Sequence, residues 1–185
     1  MTSLEKLKGE KVHTRSIRIN TYSVDEERVI VEGVLEDTRF HPIYTIAKQR
    51  REPGTVHGMA VRLLLGGMPT EILDAEADMA TVPMGICRAA VDSVKNLIGM
   101  PIVYGFSKAV KERISGTEGC NHLTSLILTM GSAAVQGMAA HRGRTPPPPE
   151  AREAMLEYVK NSCCVWREDG DHYRRTLEEI TNLQK

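Results

Sequence analysis

From Asn121 to about Ala140 the chain carries apolar residues at helical spacing, Leu123, Leu126, Ile127, Met130, Ala134 and Met138, directly behind Gly119-Cys120. Residues three and four apart share one side of a 3.6-residue turn, so the run predicts one long amphipathic helix. Such a helix must bury its stripe against another layer. The stretch before it supplies strands. His13–Asn20 alternates, and Arg28–Leu35 is β-branched and apolar. Gly58–Leu65 follows, then a Gly66-Gly67-Met68-Pro69 turn and a strand over Thr70–Asp78. In that last strand Leu73, Ala75 and Ala77 fall on one face and Asp74, Glu76 and Asp78 on the other. The carboxylate row has the chemistry to bind a cation, but a solvated sheet face is the plainer reading.

Strands first and helices after predict an α+β fold: an antiparallel sheet of about three to five strands with helices packed on one face, plus a C-terminal helical tail. Asp37–Gly54 is charged and holds Pro42 and Pro53, so irregular structure with an edge strand near Ile43–Ile46 is expected. Cys87–Ile98 changes to helical period, with Cys87, Ala90, Val91, Val94, Leu97 and Ile98 as one stripe ended by Gly99 and Pro101. Ser107 is placed to cap a turn over Lys108–Ile114. The resulting division is a flexible lead-in over 1–11, an α+β domain over 12–142, a Pro-rich linker over 143–150 and a helical appendage over 151–185.

Lys plus Arg equals Asp plus Glu at 24 each, so net charge draws the chain toward neither nucleic acid nor an anionic membrane. No apolar run reads as the roughly 20 residues a membrane span needs, and Met1–Lys11 lacks the apolar segment of a secretory signal. A cytoplasmic location is expected. With four cysteines in 185 residues, free thiols are expected rather than a disulfide framework.

Chemistry concentrates at two predicted helix entrances. Cys87 and Cys120 both sit where a helix dipole and free backbone N–H groups favour thiolate, and His122 follows Cys120 by two residues. Thiolates with imidazoles make a ligand set for zinc or iron. A buried structural role for Cys87 and a helix-start role for His122 are the alternatives. Asp37-Thr38-Arg39 and His41 follow a predicted strand and would line the same site, with a surface ion pair as the plainer reading. Cys163-Cys164 offers a more distant thiol. His13, His141 and His172 lie in polar contexts and are expected to be solvated, and the methionines are expected to fill the core.

The pattern from Val56 to Gln136 resembles iron–sulfur scaffold proteins of the NifU/IscU type and their SufE-like relatives. The resemblance puts ligands at His57, Cys87 and Cys120, and implies a Zn or Fe/Fe–S site. The chain departs from that pattern: a histidine replaces the first cysteine, Gly58-Met59 lacks the aspartate that follows it, and the late histidine comes after the third cysteine. On Val31-Glu32-Gly33-Val34-Leu35-Glu36-Asp37, Val56-His57-Gly58-Met59-Ala60-Val61-Arg62-Leu63 and Gly119-Cys120-Asn121-His122-Leu123, the chain is also similar to the bacterial domain-of-unknown-function family 2889.

Three functions fit these residues. The first is a metal-binding, scaffold-like protein with His57, Cys87, Cys120 and His122 as ligands, serving a metal ion or cluster and a partner protein for sulfur or metal transfer. The second is a thiol enzyme or sulfur acceptor with Cys120 or Cys87 as nucleophile and His57 or His122 as base. The third is a small-ligand binding module with structural cysteines. Each is compatible with a homodimer.

Overall fold

The computed structural model describes residues 2–183. Met1, Gln184 and Lys185, the outer ends of the expected lead-in and appendage, lie outside them. The chain divides into two compact units, one ending at His141 and one beginning at Arg142.

The first unit is built on a four-stranded antiparallel sheet of β1 (His13–Ser23), β2 (Val29–Arg39), β5 (Gly54–Gly66) and β6 (Glu71–Thr81), in the order β1-β2-β5-β6. The excursion between β2 and β5 forms a small hairpin of β3 (Ile43–Tyr44) and β4 (Arg50–Arg51), so the segment expected to be irregular contains a short ladder. Period-2 alternation decides the faces. Along β2, Val29, Val31, Gly33, Leu35 and Asp37 are buried while the residues between them are not. Along β5, Met59, Val61, Leu63 and Leu65 face the same core.

In β6 the expected phase is only partly kept. Ala75 is buried and Ala77 packs against the core, but Leu73 is exposed and Ile72 is fully buried instead. Leu64 pairs with Asp74 and Leu65 with Ile72, which leaves Leu73 as the extra residue of a β-bulge. One inserted residue moves every earlier side chain to the opposite face.

The core is closed by three helical segments. A run of 3₁₀ turns covers Gly85–Leu97, α1 covers Phe106–Ile114 and α2 covers Asn121–Arg142. The 3₁₀ run replaces the α-helix expected over Cys87–Ile98. It buries Val94 and Leu97, whereas Cys87 is only half-buried and Ile98 is exposed, because three residues per turn rotate the expected stripe apart. In α2 all six expected stripe residues are buried. Each fully buried Leu or Ile contributes on the order of 1.5–3 kcal/mol of apolar transfer. By length and composition α2 would suffice to cross a membrane, a run the sequence reading did not mark, but its apolar stripe is occupied by the core.

The approach of α2 to the sheet is set at Gly33, where a Cβ would stand 2.6 Å from Met130 Sδ and 3.0 Å from Leu126 Cδ1. At the far end His141 Nε2 lies 3.2 Å from the Glu26 carbonyl in the β1–β2 turn. The helix therefore runs antiparallel to β2, and its N-terminus is delivered to the end of the sheet where β2 finishes and β5 begins.

The second unit pairs α3 (Pro149–Val159) with α4 (Asp171–Asn182) around Leu156, Tyr173 and Ile180, with Val159 and Trp166 against them. Cys163 and Cys164 are exposed in the connection between these helices.

Candidate functional site

At one end of the first unit the inward rows of three strands change from apolar to polar together. On β1 the row Ile19, Ile17 continues into Arg15 and His13; on β2, Leu35 into Asp37 and Arg39; on β5, Met59 into His57. The register aligns them, with Arg15 opposite Asp37, Asp37 opposite His57, and His13 opposite Arg39. A bulge follows Asp37 on the β2–β5 ladder, where Thr38 pairs with Thr55 and leaves Val56 over.

Asp37 is the centre, with a side chain only 4% exposed. Arg15 grips it with two parallel hydrogen bonds of 2.7 Å, Nε to Oδ1 and Nη2 to Oδ2. This fork is the strong geometry for a guanidinium and a carboxylate. His57 Nδ1 lies 3.0 Å from Oδ2 and His13 Nε2 lies 3.4 Å from Oδ1. The hydrogen bonds from Arg15, its charge and the His57 contact hold the Asp37 carboxyl at about 2, against the opposing effect of burial.

The fourth side comes from α2. His122 Nε2 stands 3.7 Å from Asp37 Oδ2, and its ring stacks on His57 with centroids 3.7 Å apart and planes 28° from parallel. Burial, with the His57 ring and the Arg15 charge beside it, pushes the His122 imidazole below its usual range, opposed by the Asp37 charge. Near neutral pH His122 is therefore an uncharged imidazole with a lone pair, the form that binds a cation or accepts a proton.

Local sequence explains how His122 arrives there. Gly119 passes so close to the end of α1 that a Cβ would overlap the Ile114 carbonyl, so only glycine fits. Thr124 Oγ1 lies 3.0 Å from both the Ile114 and Cys120 carbonyls, which share its one proton, tying the first turn of α2 to the end of α1. The Gly-Cys-Asn-His-Leu-Thr run thus fixes the direction from which His122 meets the sheet.

Among the described residues, the set whose ligating atoms all lie within 4.8 Å of one another is Asp37, His57 and His122. Two of the four expected ligands, His57 and His122, are in it. Cys120 stands beside it, with Sγ 3.8 Å from His122 Nδ1, the ring nitrogen turned away from Asp37. Cys87 is outside it, at the start of the 3₁₀ run, where its amide donates to the Met84 carbonyl. Asp37, weighed as a surface ion pair, is instead a buried one. His13 is exposed, as expected, yet reaches Asp37, while His41 lies 3.5 Å from Glu10 and is no part of the cluster. Arg15 carries no motif of its own and was not singled out.

The Asp74, Glu76 and Asp78 row is exposed on the outward face, where Arg62 pairs with Glu32, Glu76 and Asp78. A shallow groove of about 370 Å³ lies on that face too, lined by Val34, Gly58, Ala60 and Ala80 among others, and takes no part in the cluster.

Among known families, one described as "Protein of unknown function (DUF2889)" matches residues 13–136, from the start of β1 well into α2. That span contains every residue of the cluster. No curated protein and no solved structure matches the chain.

Proposed function

This chain belongs to the DUF2889 family, and from that premise we propose that it binds a single divalent metal ion through Asp37, His57 and His122. One observation carries the reading: Asp37 Oδ2 lies 3.0 Å from His57 Nδ1 and 3.7 Å from His122 Nε2. Ligands about 2.1 Å from a tetrahedral ion stand about 3.4 Å from one another, midway between those two distances. Two imidazoles and a carboxylate suit Zn²⁺ or Fe²⁺ and leave coordination positions open to a substrate. The set contains no thiolate, which favours a single ion over an iron–sulfur cluster. Arg15 plays the part of the hydrogen-bonding group that orients a ligating carboxylate. Lone pairs of stacked rings point along separate planes, so ion binding turns one imidazole out of the stack, and His122, nearly twice as exposed as His57, has the room.

The test is metal content after anaerobic purification without chelator, for the wild type and for D37N, H57A, H122A and C120A. Near-stoichiometric zinc or iron that is lost in the first three variants and kept in C120A is the expected result. Well-folded, metal-free wild type that takes up neither ion would overturn the reading.

A second reading rests on the same histidine. Cys120 Sγ, His122 and Asp37 stand in series at 3.8 and 3.7 Å, the order of a thiol, its base and an orienting carboxylate. It predicts that Cys120 is alkylated faster than Cys87 at neutral pH, and that H122A abolishes the difference.

A further inference from the structure

The polar end of the sheet holds a cation that the metal cluster does not use. Arg39 closes the inward row of β2, two residues beyond Asp37 and across the ladder from His13. Its side chain is half-buried, and its Nε is shielded from solvent with no hydrogen-bond partner. Among the described residues its guanidinium makes no ion pair either. A buried donor left unmatched costs free energy that an acceptor would recover. Asp37 does not serve as that acceptor: its partners are Arg15, His57, His13 and His122, and Arg39 is not among them. The inward rows at this end therefore carry one more fixed positive charge than negative, with Arg15 and Arg39 against Asp37. A divalent ion would raise that surplus by two, in a place where water is partly excluded.

From this arrangement we infer that Arg39, with His13 opposite it, seats an oxyanionic group of a small-molecule substrate, a carboxylate or a phosphate, whose neighbouring atoms reach the open positions of the metal. The inference deepens the metal-site reading and rests on it. Arg39 presents the planar fork that matches either anion, and among the described residues no hydrogen bond or ion pair of its side chain has to break for it to do so. His13 Nε2 faces Asp37 Oδ1 from an exposed position, so that imidazole borders the route in from solvent. The seat and the metal lie on one strand face, spaced by the two-residue repeat that separates Arg39 from Asp37.

The experiment is calorimetric titration of zinc-loaded full-length protein with inorganic phosphate and, separately, with malonate, for the wild type, R39Q and R39K. Zinc content is measured on the same samples, and folding is checked by circular dichroism. Saturable binding of at least one anion by the wild type is expected, weakened about tenfold or more in R39Q and by less in R39K, as loss of a charge-assisted fork requires. Zinc content should be equal in all three, and the anion that binds identifies the substrate group as phosphate or carboxylate. Absence of saturable binding for both anions, or equal affinity in R39Q and the wild type, would overturn the inference. Zinc missing from the wild type itself would overturn the underlying metal reading instead.

Discussion

The sheet carries an arginine–carboxylate network on each face; the two arginines are about equally exposed, and the carboxylates they meet are not. Outward, Arg62 meets Glu32, Glu76 and Asp78, and the last two side chains are 70% exposed. Inward, Arg15 meets one carboxylate that is 4% exposed, and three imidazoles crowd around it. Water can replace any partner on the outward face, so those ion pairs are individually worth little. On the inward face the carboxylate itself is shielded from water, so it depends on the groups around it. Burial, rather than the count of charges, separates a solvated face from a candidate site.

The comparison breaks most sharply at Asp37. Replacing it with asparagine should cost about 2 kcal/mol, below the 3–5 kcal/mol of a fully buried pair because Arg15 is itself over a third exposed. Chemical denaturation of D37N beside the wild type reads this directly, and a loss within about 0.5 kcal/mol would put the inward network on a par with the outward one.

Acid should act next. The folded-state value of Asp37, about 2, lies below that of the unfolded chain, so its contribution is present above about pH 4 and lost as pH falls through 2. His122 is also depressed, so the unfolded chain takes up that proton first, and stability begins to decline below about pH 6.5. Both effects have the same sign. Denaturation midpoints measured from pH 7 to pH 2 should fall in the wild type; the part of the fall that begins below about pH 6.5 should shrink in H122A, and the part between about pH 4 and pH 2 should shrink in D37N.

The smallest effect belongs to the outward face, where E76Q and D78N should each change stability by no more than about 0.5 kcal/mol, and added salt should reduce even that. A larger loss would mean that the Arg62 network is cooperative and that the contrast between the faces is overstated.

Much of this contrast was legible in the sequence, and what was not has physical causes. The stripe of α2 was readable because a long helix repeats its signal turn after turn, from Leu123 to Met138. The strands were readable by alternation, and the phase failed in β6 where one bulged residue, Leu73, resets it. The 3₁₀ run was read as α-helix because Val91, Val94 and Leu97 satisfy both periods, and only residues such as Cys87 and Ile98 fall out of the tighter one. His57 and His122 were found through their residue types and neighbours. Asp37 was weighed for the site but read as a surface ion pair, although it continues the row Val29, Val31, Gly33 and Leu35, which puts a carboxylate on the buried face. Arg15 and His13 had none, since only the cross-strand register brings them to Asp37. Cys87 was drawn in by its expected helix entrance, which the 3₁₀ run does not provide.

The most direct measurement is X-ray absorption at the zinc edge on stoichiometrically loaded protein. The account predicts a first shell of nitrogen and oxygen at about 2.0–2.1 Å, with the outer-shell pattern of two imidazoles and no sulfur. A sulfur scatterer at about 2.3 Å, or a spectrum unchanged in H57A and H122A, would contradict a site built from Asp37, His57 and His122.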